Sequence, residues 1–304
     1  GGGTVLSVAT AFAVVLAMNA PAQPGALQLV PLATFGPNGD GTIRPGDLWF
    51  LTGDGSRYQR GMAFNPTTGH LIVANRYLPG AETINVIDAF TGADVSALDQ
   101  SGLTIGGSAN FIYNLVGVAE DGAIYVGNLT TSGTLVEFIL YRWADETSPQ
   151  VRVYGPANPG GTIAGNSRWG DTLAVRGSGV NTEVLLASRG TLAAILRPTD
   201  ASMTTFAATT LTTDVPSGGL GYGLAFGAGN TFYGKAASSE GEPLYHLSYD
   251  LSAGTATTLH VYGVDAFPGR VGALAVLPAS NWLAAIEMTP GTNVDRVRLY
   301  DIAD

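Results

Sequence analysis

Few side chains in this 304-residue chain are equipped for chemistry. Cysteine is absent, which removes disulfides, thiolate metal centres and thiol nucleophiles together. The three histidines, His70, His246 and His260, are scattered and match neither a metal-ligand spacing nor a triad, so they read as ordinary sheet residues. No G-x-S-x-G, H-E-x-x-H or phosphate-binding loop occurs, and the Asp145-Glu146 pair reads as part of a solvated loop. One stretch has the outline of a calcium loop. In "GPNGDGTIRPGDL", Asn38, Asp40 and Asp47 would take the third, fifth and twelfth positions. The first-position Asp is missing, and an Asn/Asp-Gly turn explains the same letters. Asn128 opens the one N-x-[ST] sequon, a weak acceptor for glycosylation. Arg60, Arg168 and Arg270 each come shortly before a Gly- and Ala-centred apolar stretch. Gathered at one end of a molecule, they could hold a carboxylate or an acidic or sulfated sugar in bidentate fashion. Pairing with Asp171 and Asp265 is the alternative.

The elements that would position these residues repeat. "GMAF", "VGVA", "DTLAV", "GLAF" and "GALAV" place Ala63, Ala119, Ala174, Ala225 and Ala275 at separations of 56, 55, 51 and 50 residues. That is near the blade length of four-stranded propeller repeats, roughly 40–50 residues. Each unit continues as alternating apolar runs broken by Asn-Pro, Asp-Gly or Thr-Gly turns, and no helical period persists. The expected fold is all-β: a propeller of five four-stranded blades, or six with one poorly repeating. The last unit shows three strands, and "ALQLVPLATF", residues 26–35, is expected to supply the fourth and close the ring.

The first unit, "HLIVANRYLPGAETINVIDAFTGADV", resembles the YVTN-type repeat of secreted microbial propellers. Ile72–Asn75 stand in the "YVTN" slot, and Ile84–Asp88 with Thr91-Gly92 stand in the "VSVIDTATG" slot; Ala74 replaces the usual Thr. The resemblance covers one repeat well and the others loosely. It implies a β-propeller of the cell surface or surface layer, and it implies no catalytic residue.

Residues 1–25 fall outside the repeats and divide the chain into an N-terminal segment and one propeller domain, 26–304. Positions 4–20 carry no charge. Leu6, Val8, Phe12, Val14, Leu16 and Met18 alternate with mostly small residues, a period of two that marks a strand with one bulky face. Three readings stay open. The strand is donated to a neighbouring subunit, or it covers an edge of its own ring, or the stretch is the apolar region of a secretory signal. "NAPAQPG", 19–25, would serve as an extended linker.

Composition sets the outer bounds. Charged residues make up 12% of the chain, about half the roughly 25% usual in soluble domains, and Lys235 is the one lysine. The net charge of −10 argues against nucleic acid, whose phosphates need a basic footprint. A charge-poor surface rich in Thr and Gly suits an extracellular protein that buries part of itself against neighbours. The expectation is therefore a secreted structural subunit, homopolymeric through residues 4–18, with no enzymatic activity, no membrane span in the mature protein and no cofactor other than the weak calcium loop. The alternative is a monomeric propeller that binds an acidic ligand or glycan through the three arginines. A polysaccharide-active propeller is the enzymatic reading, with no residues to carry it.

Overall fold

The computed structural model describes residues 29–51, 59–75, 83–101, 111–130, 137–162, 168–236, 242–264, 270–277, 281–288 and 295–302. The fold is all-β. Four units have four antiparallel strands each, in chain order. The first is β1 (Gln59–Asn65), β2 (His70–Asn75), β3 (Thr83–Asp88) and β4 (Asp94–Ala97). The second is β5 (Leu115–Val118), β6 (Ile124–Gly127), β7 (Phe138–Trp143) and β8 (Val151–Ala157). The third is β9 (Ala174–Arg176), β10 (Glu183–Ala187), β11 (Leu192–Pro198) and β12 (Phe206–Thr213). The fourth is β13 (Gly223–Phe226), β14 (Thr231–Lys235), β15 (Leu244–Asp250) and β16 (Thr255–Tyr262). A fifth unit holds three described strands, β17 (Arg270–Leu277), β18 (Trp282–Met288) and β19 (Asp295–Asp301). The third and fourth units are not separate sheets. The outer strands β12 and β16 pair in parallel at Thr212–Thr255 and Thr213–Ala256 and join them into one sheet of eight strands.

The central strands read as near-continuous Val, Ile, Leu and Ala because both faces are covered. Ile72, Ala74, Ile84 and Val86 of the first unit pack on Ile124, Val126 and Tyr141 of the second. Tyr125, Phe138 and Leu140 of the second meet Val184, Leu186 and Ala194 of the third. Leu185, Ile195 and Leu211 meet Leu224, Phe232 and Leu247 of the fourth, and Tyr233 and Leu244 meet Leu283 and Ala285 of the fifth. The units thus stack face to face in sequence order. The innermost strands approach closely: a Cβ on Gly61 would lie 2.6 Å from the Val116 amide nitrogen, so only glycine fits between β1 and β5. Trp143, fully buried, donates its Nε1–H to the Asp99 carbonyl at 2.7 Å and fixes the edge of the second unit against the first.

The hairpin between third and fourth strands is built alike in four units. The Oδ1 of Asp88 accepts the amides of Phe90 and Thr91 at 3.0 and 2.7 Å. Asp145 accepts Thr147 and Ser148 amides, Asp200 the Ser202 amide, and Asp250 the Ser252 and Ala253 amides. The carboxylate accepts amides two or three residues on and so closes the turn, and in three of the four a residue in the left-handed region follows: Gly92, Met203 and Gly254, at φ 72, 58 and 65°.

Residues 26–35 do not form the expected closing strand where they are described. Positions 29–35 run through turns, and Phe35 is buried with Ile43, Leu48 and Phe50 against Leu71, Val73 and Ile87 of the first unit. Pro31 lacks a ladder donor, and the segment is tied down instead by the Thr34 hydroxyl to the Phe90 carbonyl, 2.7 Å, and the Gly36 amide to the Thr91 carbonyl, 2.8 Å. It covers the flank of the first unit that faces away from the second. Met62 and Phe64, in register with Val73 and Leu71 on that flank, stay exposed. Among the described residues, no apolar cluster joins the fifth unit to the first.

Candidate functional site

The proposed assembly strand, Leu6, Val8, Phe12, Val14, Leu16 and Met18, lies outside the described residues. β19 pairs with β18 over Asp295–Asp301, and among the described residues nothing pairs with its other edge. In the other four units that position is filled by β4, β8, β12 and β16. A bare edge presents alternate N–H and C=O groups that must be satisfied by water or by another strand.

The arginines expected to gather at one end are placed as follows. Arg168 comes shortly before β9 and is spent locally: its Nε and Nη2 donate to both oxygens of Asp171 at 2.5 and 3.1 Å. That bond holds the guanidinium above its ordinary pKa. The Asp171 side chain is 2% exposed, and a second guanidinium comes to it. Arg189 Nε lies 3.0 Å from Asp171 Oδ2 as an ion pair not aligned for a hydrogen bond, and Arg189 stacks over the Tyr222 ring at 4.5 Å. A buried carboxylate facing two arginines is compensated, and the cluster fastens the third unit to the start of the fourth. Asn114 extends the stitching to the second unit, donating to the Gly170 carbonyl at 2.7 Å. Arg60 is exposed on β1, in alternation with Met62 and Phe64. Arg270 opens β17, and its side chain lies outside the described residues. The pairing with Asp171 is therefore the arrangement found for Arg168, and Arg189 is the partner that sequence spacing did not disclose.

A second charged cluster, also unforeseen, sits between the third and fourth units. Glu183 Oε2 accepts from Arg176 Nε and Nη2 at 2.9 and 2.7 Å and from the Tyr249 hydroxyl at 2.7 Å, while Oε1 faces Arg197 Nη2 at 2.7 Å. Burial, then the Glu183 hydrogen bond and charge, raise the Tyr249 pKa, so the phenol stays a donor. Arg176 lies over the Phe226 ring, 4.3 Å from its centroid. A third cluster corrects the reading of Asp145-Glu146. Asp145 serves its turn, but Glu146, whose side chain is 11% exposed, accepts from Asn65 Nδ2 at 2.8 Å and Thr68 Oγ1 at 2.6 Å. Its Oε2 lies 2.7 Å from His70 Nδ1.

In the stretch read as a calcium loop, Asp40 and Asp47 are both engaged within their own turns. Asp40 accepts the Thr42 amide and hydroxyl at 3.1 and 2.6 Å and pairs with Arg44, and Asp47 accepts the Arg44 amide at 2.6 Å. Asn38 joins neither carboxylate in these contacts. Those bonds lower the Asp40 pKa, with the Thr42 hydroxyl first, and the turn reading accounts for the letters. Among the described residues, no group of three His, Cys, Asp or Glu could hold a metal ion. Asn128 is buried; its Oδ1 accepts the Ile139 amide at 2.8 Å and its Nδ2 donates to the Glu137 carbonyl at 3.1 Å. The sequon is a structural bracket in the folded chain and offers no exposed acceptor for sugar.

No known protein family matches the chain, and no curated protein does. Among solved structures, one described as "Structure of U3-55K" superposes with a TM-score of 0.46 at 11% identity, over 80% of this chain and 77% of that one. A likeness of that size carries no weight for function. No described helix is long and apolar enough to cross a membrane.

Proposed function

We propose that the chain is a β-propeller of five blades that serves as a structural subunit of an extracellular fibre or surface layer, each subunit donating residues 4–18 to its neighbour. The observation that carries this reading is that, among the described residues, no strand pairs with the outer edge of β19, whereas the four other units each have a fourth strand. An incoming strand with one bulky face and one small face satisfies that edge and buries its large side chains in alternate pockets. Burying a Leu or Phe side chain contributes roughly 1.5–3 kcal/mol, so six such residues give a firm joint. The contact is head-to-tail; it does not close on itself, and repetition produces an open polymer. A surface with few charges suits a chain whose outside becomes an interface.

Electron microscopy of the full chain and of a chain lacking residues 1–20 tests this. Filaments from the first and dispersed, folded particles from the second are expected. Dispersed particles from both would overturn the assembly role. Attention would then pass to ligand binding elsewhere on the molecule, since Arg168 and Arg189 both pair with Asp171.

A further inference from the structure

In a stack of repeated units, each unit shows one face to the unit after it and another to the unit before. The two ends of the stack therefore carry the two halves of one interface. The strand registers identify the leading half. Ala63, Ile72 and Val86 lie side by side across the first unit, with Ala74 and Ile84 two rungs on. Ala174, Leu185 and Ile195 do the same in the third, with Ala187 and Ala193 two rungs on. Both sets pack on the next unit. In the fifth unit the matching set is Ala275, Ala284 and Leu299, then Ile286 and Val297. There Ala275 is exposed and the other four are half-buried, while Leu283 and Ala285 on the opposite face pack on the fourth unit.

The receiving half is as clear. In the fourth unit, Leu224 and Phe226 flank the repeated Ala225 and are buried in the cluster that holds Leu185 and Ile195 of the third. In the first unit, Met62 and Phe64 flank Ala63 in the same way, and they are 36% and 49% exposed with the fifth unit in place. The cover formed by residues 29–51 buries Leu71, Val73 and Ile87 on the outer part of that flank and leaves the part on β1 uncovered.

We propose that the β1 flank of the first unit, through Met62 and Phe64, docks on the fifth unit of a second copy of this chain, at Ala284, Ile286, Val297 and Leu299. The contact repeats between copies the interface that joins the third unit to the fourth within one chain, so each half meets side chains of the kind it is shaped for. It is head-to-tail and extends without closing. The inference rests on the reading of the chain as an assembling subunit, but not on the donation of residues 4–18. Residues 29–51 lie on this same flank, so a strand donated from residues 4–18 would reach the same neighbouring fifth unit.

The chain has no cysteine, so a pair can be introduced without background. Phe64→Cys with Ala284→Cys is treated with a short bismaleimide, in the full chain and in a chain lacking residues 1–20. Val180→Cys, exposed on the third unit, with Ala284→Cys is the control pair. The expected result is a ladder of covalent oligomers from the first pair in both chains, and none from the control at equal concentration. A product of monomer mass with both thiols joined overturns the proposal, because the chain's own fifth unit then covers the flank. Absence of any cross-link overturns it too, as does a ladder that disappears with residues 1–20. Filaments lost on that deletion while the ladder persists would separate strand donation from the face contact. Phe64 is exposed, so its replacement leaves the core intact, and circular dichroism checks the fold of each variant.

Discussion

Glu183 carries a negative charge into the interior and meets two guanidiniums and a phenol there. Removing one member of a buried ion pair strands the others, at roughly 3–5 kcal/mol for a fully buried pair. Arg176 and Arg197 keep part of their hydration, with side chains 25% and 51% exposed, so Glu183→Ala is expected to cost less, about 2–3 kcal/mol. Denaturant titration of the variant measures it, and Glu183→Gln, which keeps an acceptor for the Tyr249 hydroxyl, should recover part of the loss. This cluster could not be read from the sequence, because Tyr249 lies 66 positions from Glu183 and only the stacking of two units brings them together. The Arg168–Asp171 pair, three positions apart, was legible. His246 and His260 fall between these cases: both were visible as strand residues, but their register depends on one bulge in β16 that no residue type announces.

At the scale of elements, strands and turns were the most legible features because they rest on local chemistry. The repeated Asp turns also make a pH prediction. Hydroxyl bonds from Thr91, Thr147, Ser202 and Ser252 are the first cause that lowers the pKa of Asp88, Asp145, Asp200 and Asp250 below 3.8. A carboxylate whose pKa is depressed by folding stabilises the native state above its unfolded value, and that contribution disappears as pH falls through the folded value. Stability should therefore be flat with respect to these four groups near neutrality and decline below pH 3.8. Replacing all four by Asn keeps the Oδ1 acceptor and removes the titration, so denaturation midpoints measured from pH 6 down to about 2.5 should fall less steeply in the variant. The closing strand expected at 26–35 failed at this scale. Its alternation was read correctly as apolar, but Pro31 and the burial of Phe35 under Ile43 and Phe50 direct the described part across a sheet face instead of along an edge.

For the whole molecule, the repeat of Gly- and Ala-centred strands disclosed the order in which the four-stranded units follow one another, with Gly61 allowing β1 to come within reach of Val116 on β5. It did not disclose how outer strands of different units meet, because that depends on pairing between distant segments such as β12 and β16. The donated-strand reading has a kinetic signature. A subunit lacking residues 1–20 can accept a strand but cannot give one, so adding it to the full chain should shorten filaments in proportion to its mole fraction. Filament lengths that ignore the truncated subunit, while the truncated chain remains folded by circular dichroism, would count against β19 as acceptor.

The parallel contact between β12 and β16, with the Thr212 amide donating to the Gly254 carbonyl at 2.9 Å, bears on how the molecule comes apart. Elsewhere an outer strand can peel away by itself; here, peeling one requires releasing the other. The third and fourth units should thus open as a single cooperative block. Amide hydrogens along β11, β12, β15 and β16 would exchange with solvent at a common free energy, while those of the short, exposed β4 exchange far sooner. A joint of two residue pairs at the rim would then decide which half of the protein survives longest under denaturing stress.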